Sequence, residues 1–350
     1  MRNPLSKTIE QIKPSGIRKF FDIVSEMPHA ISLGVGEPDF DTPWHVRSEG
    51  IRSLEKGRTF YTSNSGLIEL RQEICKWYQR KYNVLYDYKT EALLTVGGSE
   101  GIDVALRAML DPGDEVIIPE PCYVSYVPCV QLIGAVPVTI ELKNENQFRL
   151  TPEELLAAIT DKTKILILAY PSNPTGAVMT KEDLEPIAKI CQEKDIYVIS
   201  DEIYSELTYG GEKHCTISSL PGMKERTIVI NGFSKAYAMT GWRLGYALAP
   251  EVIAHQMTKI HQFAIMCAPT TSQYAAIEAI KNGDADIEKM CKSYDQRRRF
   301  LLKKFEEIGL PCFEPHGAFY VFPCIKEFGI TSDEFATRLL REEELAVVPG

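Results

Sequence analysis

The sequence predicts an α/β protein, its larger part a mainly parallel sheet flanked by helices and joined to a smaller α+β domain. Two observations carry this. From about residue 60 the apolar residues switch repeatedly between a helical period and short buried runs, the pattern of parallel strands linked by covering helices. A long helical run, about residues 285–308, then divides that body from a tail of different character. The expected boundaries are 45–285 for the larger domain, with 1–44 and 286–350 packing together as the smaller one.

Taken in order, Leu67, Leu70, Ile74, Trp77 and Tyr78 share one helical face, Leu93–Val96 reads as a buried strand, and a helix follows through Val104, Ala105 and Met109. Asp111-Pro112-Gly113-Asp114 is a turn, and Val116–Ile118 a strand. Thr151-Pro152-Glu153-Glu154 opens a helix, with threonine at the cap, proline at the first position and a glutamate able to reach back. Further strands are expected at Ile165–Ala169, Tyr197–Ser200, Thr227–Ile230 and Leu244–Leu248. The tail holds GAFYVF (Gly317–Phe322), a helix started by Ser332 and a strand beginning at Leu345.

A formal charge of −9 argues against a general role on nucleic acid or an anionic membrane. The one basic cluster, Arg297–Arg299 with Lys303 and Lys304, lies in a helical pattern and reads as a solvated face with local pairing. The nine cysteines are scattered without a C-x-x-C pair, which speaks against zinc and against a disulfide framework. The opening stretch MRNPLSKTIEQIKPSGIRKF has no apolar core of signal-peptide length, and no run approaches membrane-spanning length. A cytoplasmic location is therefore expected.

Ligands of parallel sheets collect at the carboxyl ends of the strands, and four such ends here carry unusual residues. After Leu93–Val96 comes Gly97-Gly98-Ser99-Glu100-Gly101, a small-residue turn into a helix whose free amides suit a phosphate, although alone it also reads as an ordinary strand-to-helix connection. After Ile165–Ala169 comes Tyr170-Pro171-Ser172-Asn173-Pro174-Thr175-Gly176, either a proline-stiffened loop or one that fixes an asparagine amide against a ligand. After Tyr197–Ser200 comes Asp201, an acid at a buried strand end that needs hydrogen bonds or a cationic partner such as a protonated ring nitrogen. After Thr227–Ile230 comes Asn231–Tyr246 with Lys235, a solvated turn lysine or a Schiff-base lysine at the mouth of the fold.

Together GVGEPDF (Gly34–Phe40), YTSNSGLIELR (Tyr61–Arg71), PEPCYVSY, PSNPTG, SDEIYSEL and SKAYAMTGWRLGY resemble the class I aminotransferases, pyridoxal phosphate (PLP) enzymes of fold type I. The nearest branch by resemblance is the bacterial one that includes aspartate, aromatic and PatA-type aminotransferases. The resemblance implies ping-pong transfer of an amino group from an amino acid to a 2-oxo acid, with Lys235 forming the internal aldimine and then shuttling a proton. Asp201 would keep the cofactor's ring nitrogen protonated. Tyr204 and Asn173 would donate to its phenolic oxygen, Tyr123 would stack on the ring, and Arg243 with Ser234 and the amides of Gly98, Ser99 and Glu100 would hold the phosphate. Some relatives carry a hydroxyl residue three positions before the lysine, where this chain has Gly232. Gly36 would admit the substrate carboxylate, and Tyr61 would reach the phosphate of a neighbouring copy, which implies a homodimer with shared sites.

The family also carries, downstream of its V-P-G stretch, an arginine for the substrate's α-carboxylate, whereas the sequence stops at Gly350. The expectation is a chain cut short; the alternative is an anchor elsewhere, such as Arg18. Two further readings stand beside transamination. One is a PLP-dependent carbon–sulfur β-lyase on the same fold, disfavoured by Tyr204 and the TGWRLGY stretch. The other is a non-catalytic PLP-fold regulator, disfavoured by the lack of a helix-turn-helix pattern in the first 44 residues.

Overall fold

The computed structural model describes residues 2–13, 27, 29–34 and 36–350, so Arg18 and Val35 lie outside the described residues. In chain order the strands are β1 (Ile31–Ser32), β2 (Ala92–Thr95), β3 (Glu115–Glu120), β4 (Val136–Glu141), β5 (Thr163–Ala169), β6 (Tyr197–Asp201), β7 (Thr227–Gly232), β8 (Gly245–Leu248) and β9 (Leu345–Ala346). Seven of them form one sheet in the order β2-β8-β7-β6-β5-β3-β4. It is mainly parallel, as expected; β8 alone runs against its neighbours β2 and β7. Strand β4, which the sequence reading did not mark, closes one edge.

The sheet is buried on both faces, and alternate residues divide between them. Leu93, Ile165, Ile167, Ile199, Ile228 and Ile230 pack under helices Gly97–Met109, Tyr126–Leu132 and Glu251–Ala264. On the opposite face Leu94, Val229 and Leu248 meet helices Ile68–Tyr82 and Thr270–Asn282. There too Ile117, Leu166, Leu168 and Val198 meet Pro152–Ala158 and Lys181–Glu193. A strand covered on both sides loses the polar alternation of a half-exposed one, which is why these strands read as continuous apolar runs.

Local chemistry sets the connections. Thr151 accepts from the Glu154 amide at 3.3 Å while the Glu154 carboxylate accepts from the Thr151 amide at 3.1 Å, the reciprocal cap expected there. The helix Ser332–Glu343 is capped by Thr331, one residue before the expected start. The basic cluster lies on helix Asp284–Glu307 and pairs locally: Arg297 with Asp39 at 2.8 Å, Arg298 with Asp295 and Glu314, Arg299 with Asp295. Outside the large sheet, β1 and β9 form a two-stranded parallel sheet, Ile31 beside Leu345 and Ser32 beside Ala346, which joins segments far apart in the sequence. Among the described residues no helix is long and apolar enough to cross a membrane.

Register gathers the strand ends. Ala169 lies beside Asp201 and Asp201 beside Ile230, so the segments leaving β5, β6 and β7 emerge at one edge of the sheet. The start of β8 locks the exit of β2 to the same edge, with Gly245 paired to both Thr95 and Gly232. This closeness demands glycine. A Cβ on Gly245 would stand 2.6 Å from the Gly97 carbonyl carbon and 2.7 Å from the Gly98 nitrogen, both backbone atoms with nowhere to move. Gly245→Ala is expected to lower stability by about 1–3 kcal/mol through overpacking. It should also displace the turn at Gly97, seen as a lower unfolding midpoint of the apoprotein together with weaker PLP binding; an unchanged midpoint would mean the turn yields freely.

Candidate active site

Lys235 stands three residues beyond β7, half-buried, with its amine donating to the Gly36 carbonyl at 2.5 Å. The Tyr204 and Phe319 rings lie 5.8 and 5.6 Å from that amine. Burial pulls the Lys235 pKa down to about 8; Arg243 pushes the same way, while Glu37 and Asp201 partly hold it up. A lysine in this setting sheds its proton far more readily than one in water.

Asp201 ends β6 with its carboxylate wholly enclosed. Burial raises its pKa, opposed by the Tyr126 hydroxyl, which donates at 2.6 Å, and by the Ile203 amide at 3.2 Å. Among the described residues it has no ion-pair partner within reach, and so it presents a buried acid to any cation that enters. Tyr204, three residues on, brings its hydroxyl within 2.5 Å of the Tyr320 hydroxyl and packs edge-on against Phe319. A Cβ on Gly36 would fall 2.5 Å from the Tyr320 oxygen, so a side chain there would push the Tyr320 ring aside. Asn173 lies half-buried in a loop pinned by Ser172 and Ala177, whose backbone groups bond at 2.9 Å.

At the other end of the site the helix Gly97–Met109 begins with Gly97 at φ +74°, in the left-handed region. Arg243 crosses this helix start: its guanidinium nitrogen is 2.7 Å from where a Gly97 Cβ would be, and it also donates to the Thr240 carbonyl at 3.0 Å. The first-turn amides of Gly97, Gly98 and Ser99 have no acceptor within the helix. The Glu100 amide follows them one residue further along the helix, and the Glu100 side chain caps the Val96 amide and contacts His261. The Ser99 hydroxyl lies 3.4 Å from the Tyr123 hydroxyl, placing Tyr123 between this turn and Tyr126, whose ring it meets edge-on at 5.6 Å. Ser234 is 7% exposed, immediately before the lysine. Gly232 faces the Gly245 Cα, which would be 3.0 Å from an added Cβ, so a side chain there would need the strands to part slightly. Tyr61 is 80% exposed. Arg243 opens on its outer side into a cleft of about 530 Å³ shared with Glu37, Thr42, Trp242 and Pro269.

The donor set fits PLP: a free helix terminus with an arginine for a phosphate, a buried carboxylate lacking a cation for a protonated ring nitrogen, and a readily deprotonated lysine near phenol donors. The sequence profile of the family "Aminotransferase class I and II" matches residues 28–350. The chain belongs to that family. As an aminotransferase it uses PLP to move an amino group from an amino acid to a 2-oxo acid, in ping-pong order through a lysine-held cofactor. It is similar to YugH of Bacillus subtilis, 52% identical over 350 residues that make up 100% of this chain and 90% of that one. It is also similar to an aspartate aminotransferase of Pyrococcus abyssi, 46% identical over 99% of this chain and 90% of the other. A solved structure of an aromatic aminotransferase from Pyrococcus horikoshii OT3 superposes with a TM-score of 0.90 at 45% identity, covering 95% and 89% of the two chains.

The sequence reading of this aminotransferase missed three neighbours of the site: Tyr126 on Asp201, Tyr320 on Tyr204, and His261 on Glu100. Tyr126 and Tyr320 sat in quoted motifs, PEPCYVSY and GAFYVF. No local signal marked His261.

The lowered Lys235 pKa has a direct consequence in the apoenzyme. Its neutral, nucleophilic form fills in as pH rises through about 8, whereas solvated lysines do so near ~10.4. Acylation of Lys235 by a small anhydride, with carboxylate as the leaving group, followed peptide by peptide, should therefore show a midpoint near 8. A midpoint matching the surface lysines would contradict the desolvated setting.

Proposed function

We propose that Lys235 is the catalytic nucleophile and proton carrier of this aminotransferase and that aspartate and aromatic amino acids are its donors. The observation that carries the residue assignment is a lysine whose pKa is brought down to about 8 at the same sheet edge as a buried carboxylate with no ion-pair partner among the described residues. Bound PLP supplies an aldehyde that condenses with amines and a ring that draws electron density from the substrate carbon. Lys235 loses its proton easily, attacks as the neutral amine, and once released takes a proton from the substrate's α-carbon. Asp201 holds the proton on the cation facing it, and Tyr126 keeps Asp201 in place and favours its charged form. Tyr204 and Asn173 would donate to the cofactor's phenolic oxygen, and Tyr123 would lie against its ring. Arg243, Ser234 and the amides of Gly97–Ser99 would hold its phosphate, while Gly36 would leave room for the substrate carboxylate.

The choice of donors follows the names of the similar proteins from Pyrococcus abyssi and Pyrococcus horikoshii. The aromatic wall of Tyr204, Phe319 and Tyr320 beside the amine suits the second of them. A panel of donors with 2-oxoglutarate should show turnover concentrated on aspartate, phenylalanine and tyrosine; turnover confined to other amino acids would overturn the choice. Asp201→Ala should slow transamination by about 10²–10³-fold, the scale of a lost preorganised charge, while PLP still binds through its phosphate. A wild-type rate would remove Asp201 from the mechanism.

The working form in this proposal is a cytoplasmic homodimer in which Tyr61 of each copy reaches the phosphate end of the other, a reading supported by its exposure and by the open cleft beside Arg243. Lys235→Ala and Tyr61→Ala subunits, each impaired alone, should regain activity when mixed and refolded together, because a hybrid holds one site with both residues intact. A mixture as inactive as its components would show that sites are not shared.

A further inference from the structure

The helix that offers its first-turn amides to the phosphate also carries an acid in that turn. Glu100 is one residue beyond Ser99, and a carboxylate at a helix start is drawn to the same positive end of the dipole that attracts a phosphate. Left free, the two anions compete. In the structure Glu100 is turned back: one oxygen accepts from the Val96 amide, and the other lies 2.6 Å from His261 Nδ1. Val96 is the residue before the helix, so this contact uses up the one terminal amide that precedes the turn and leaves those of Gly97–Ser99 open.

His261 is fully buried on helix Glu251–Ala264, which packs along the phosphate helix on the same face of the sheet. Among the described residues its Nε2 meets no partner, so a hydrogen placed there would be stranded, whereas one on Nδ1 is satisfied by Glu100. Among those residues the polar contact of the ring is with Glu100. A buried histidine with one unpaired nitrogen is a costly way to fill space, since an apolar residue would fill it without the loss.

We propose that His261 is a positioning residue for the phosphate site: by donating to Glu100 it disperses and restrains that carboxylate, keeping it off the amides and arginine that take the cofactor's phosphate. This rests on the reading of Gly97–Ser99 and Arg243 as the phosphate site. Removing the imidazole leaves Glu100 with its charge and one tether fewer, free to turn toward the helix start and Arg243. The loss falls on phosphate-bearing ligands alone.

The test measures binding to the apoenzyme of PLP, of pyridoxal, which lacks the phosphate, and of inorganic phosphate as a competitor. Wild type should bind PLP far more tightly than pyridoxal; if it does not, the phosphate reading itself fails. His261→Leu is expected to weaken PLP and inorganic phosphate by about tenfold, the scale of a partly buried charge at a helix end, and to leave pyridoxal unchanged. His261→Asn, which keeps a donor near the Nδ1 position, should recover most of the loss. In the Glu100→Gln background the Leu substitution should cost little, because the charge being restrained is gone. Glu100→Gln alone should bind inorganic phosphate at least as tightly as wild type, and this arm decides the matter if His261→Leu does not fold. Equal losses for PLP and pyridoxal, an undiminished penalty in the Gln background, or weaker phosphate binding by Glu100→Gln would each overturn the proposal.

Discussion

A buried carboxylate without a cation is the constraint on which the rest of the site depends. Asp201 is buried at the end of β6, where among the described residues a phenol and one backbone amide are its hydrogen-bond donors; burial first, and then the charge of Glu202, drive it toward the neutral form, while Lys235 opposes them. Such a group is costly in a resting fold and useful only if a positive charge arrives to meet it. The aminotransferase fold keeps the cost tolerable by placing Tyr126 against it. The same enclosure lowers the proton affinity of Lys235, so one dry pocket sets an acid and a base at odds with water in opposite directions.

The sheet makes this possible. Parallel strands β5, β6 and β7 deliver Asn173, Asp201 and Lys235 to one edge, and the antiparallel β8 fastens the phosphate turn there through glycines too close for any side chain. The third wall comes from far along the chain: Phe319 and Tyr320 from the tail, Gly36 from the amino-terminal segment. The two ends meet in the small parallel pair β1 and β9, so the segments that close over the lysine are tied to each other as well as to the large sheet.

Much of this was legible because the chemistry is local. Strands covered on both faces are short apolar runs, so their order marked Asn173, Asp201 and Lys235 as candidates, and the resemblance to the family singled them out and added Arg243. The cap at Thr151 is a matter of four consecutive residues and matches atom for atom. Strand β4 was missed because it is an edge strand with half its residues exposed and Pro137 near its start, so the burial signal is weak even though Val138, Thr139 and Ile140 form a β-branched run. Tyr126 and His261 were missed for another reason: their partners lie 75 and 161 residues away, and only the packed sheet brings them together.

The central claim is that one particular amine, Lys235, is the group the fold has prepared for the cofactor, and chemical trapping tests it most directly. Borohydride added to the PLP-loaded enzyme should fix the cofactor irreversibly to protein, and peptide mapping should find it on Lys235, with Lys235→Ala still binding PLP but trapping none. Recovery of the label on a different lysine, or undiminished trapping by Lys235→Ala, would contradict the account.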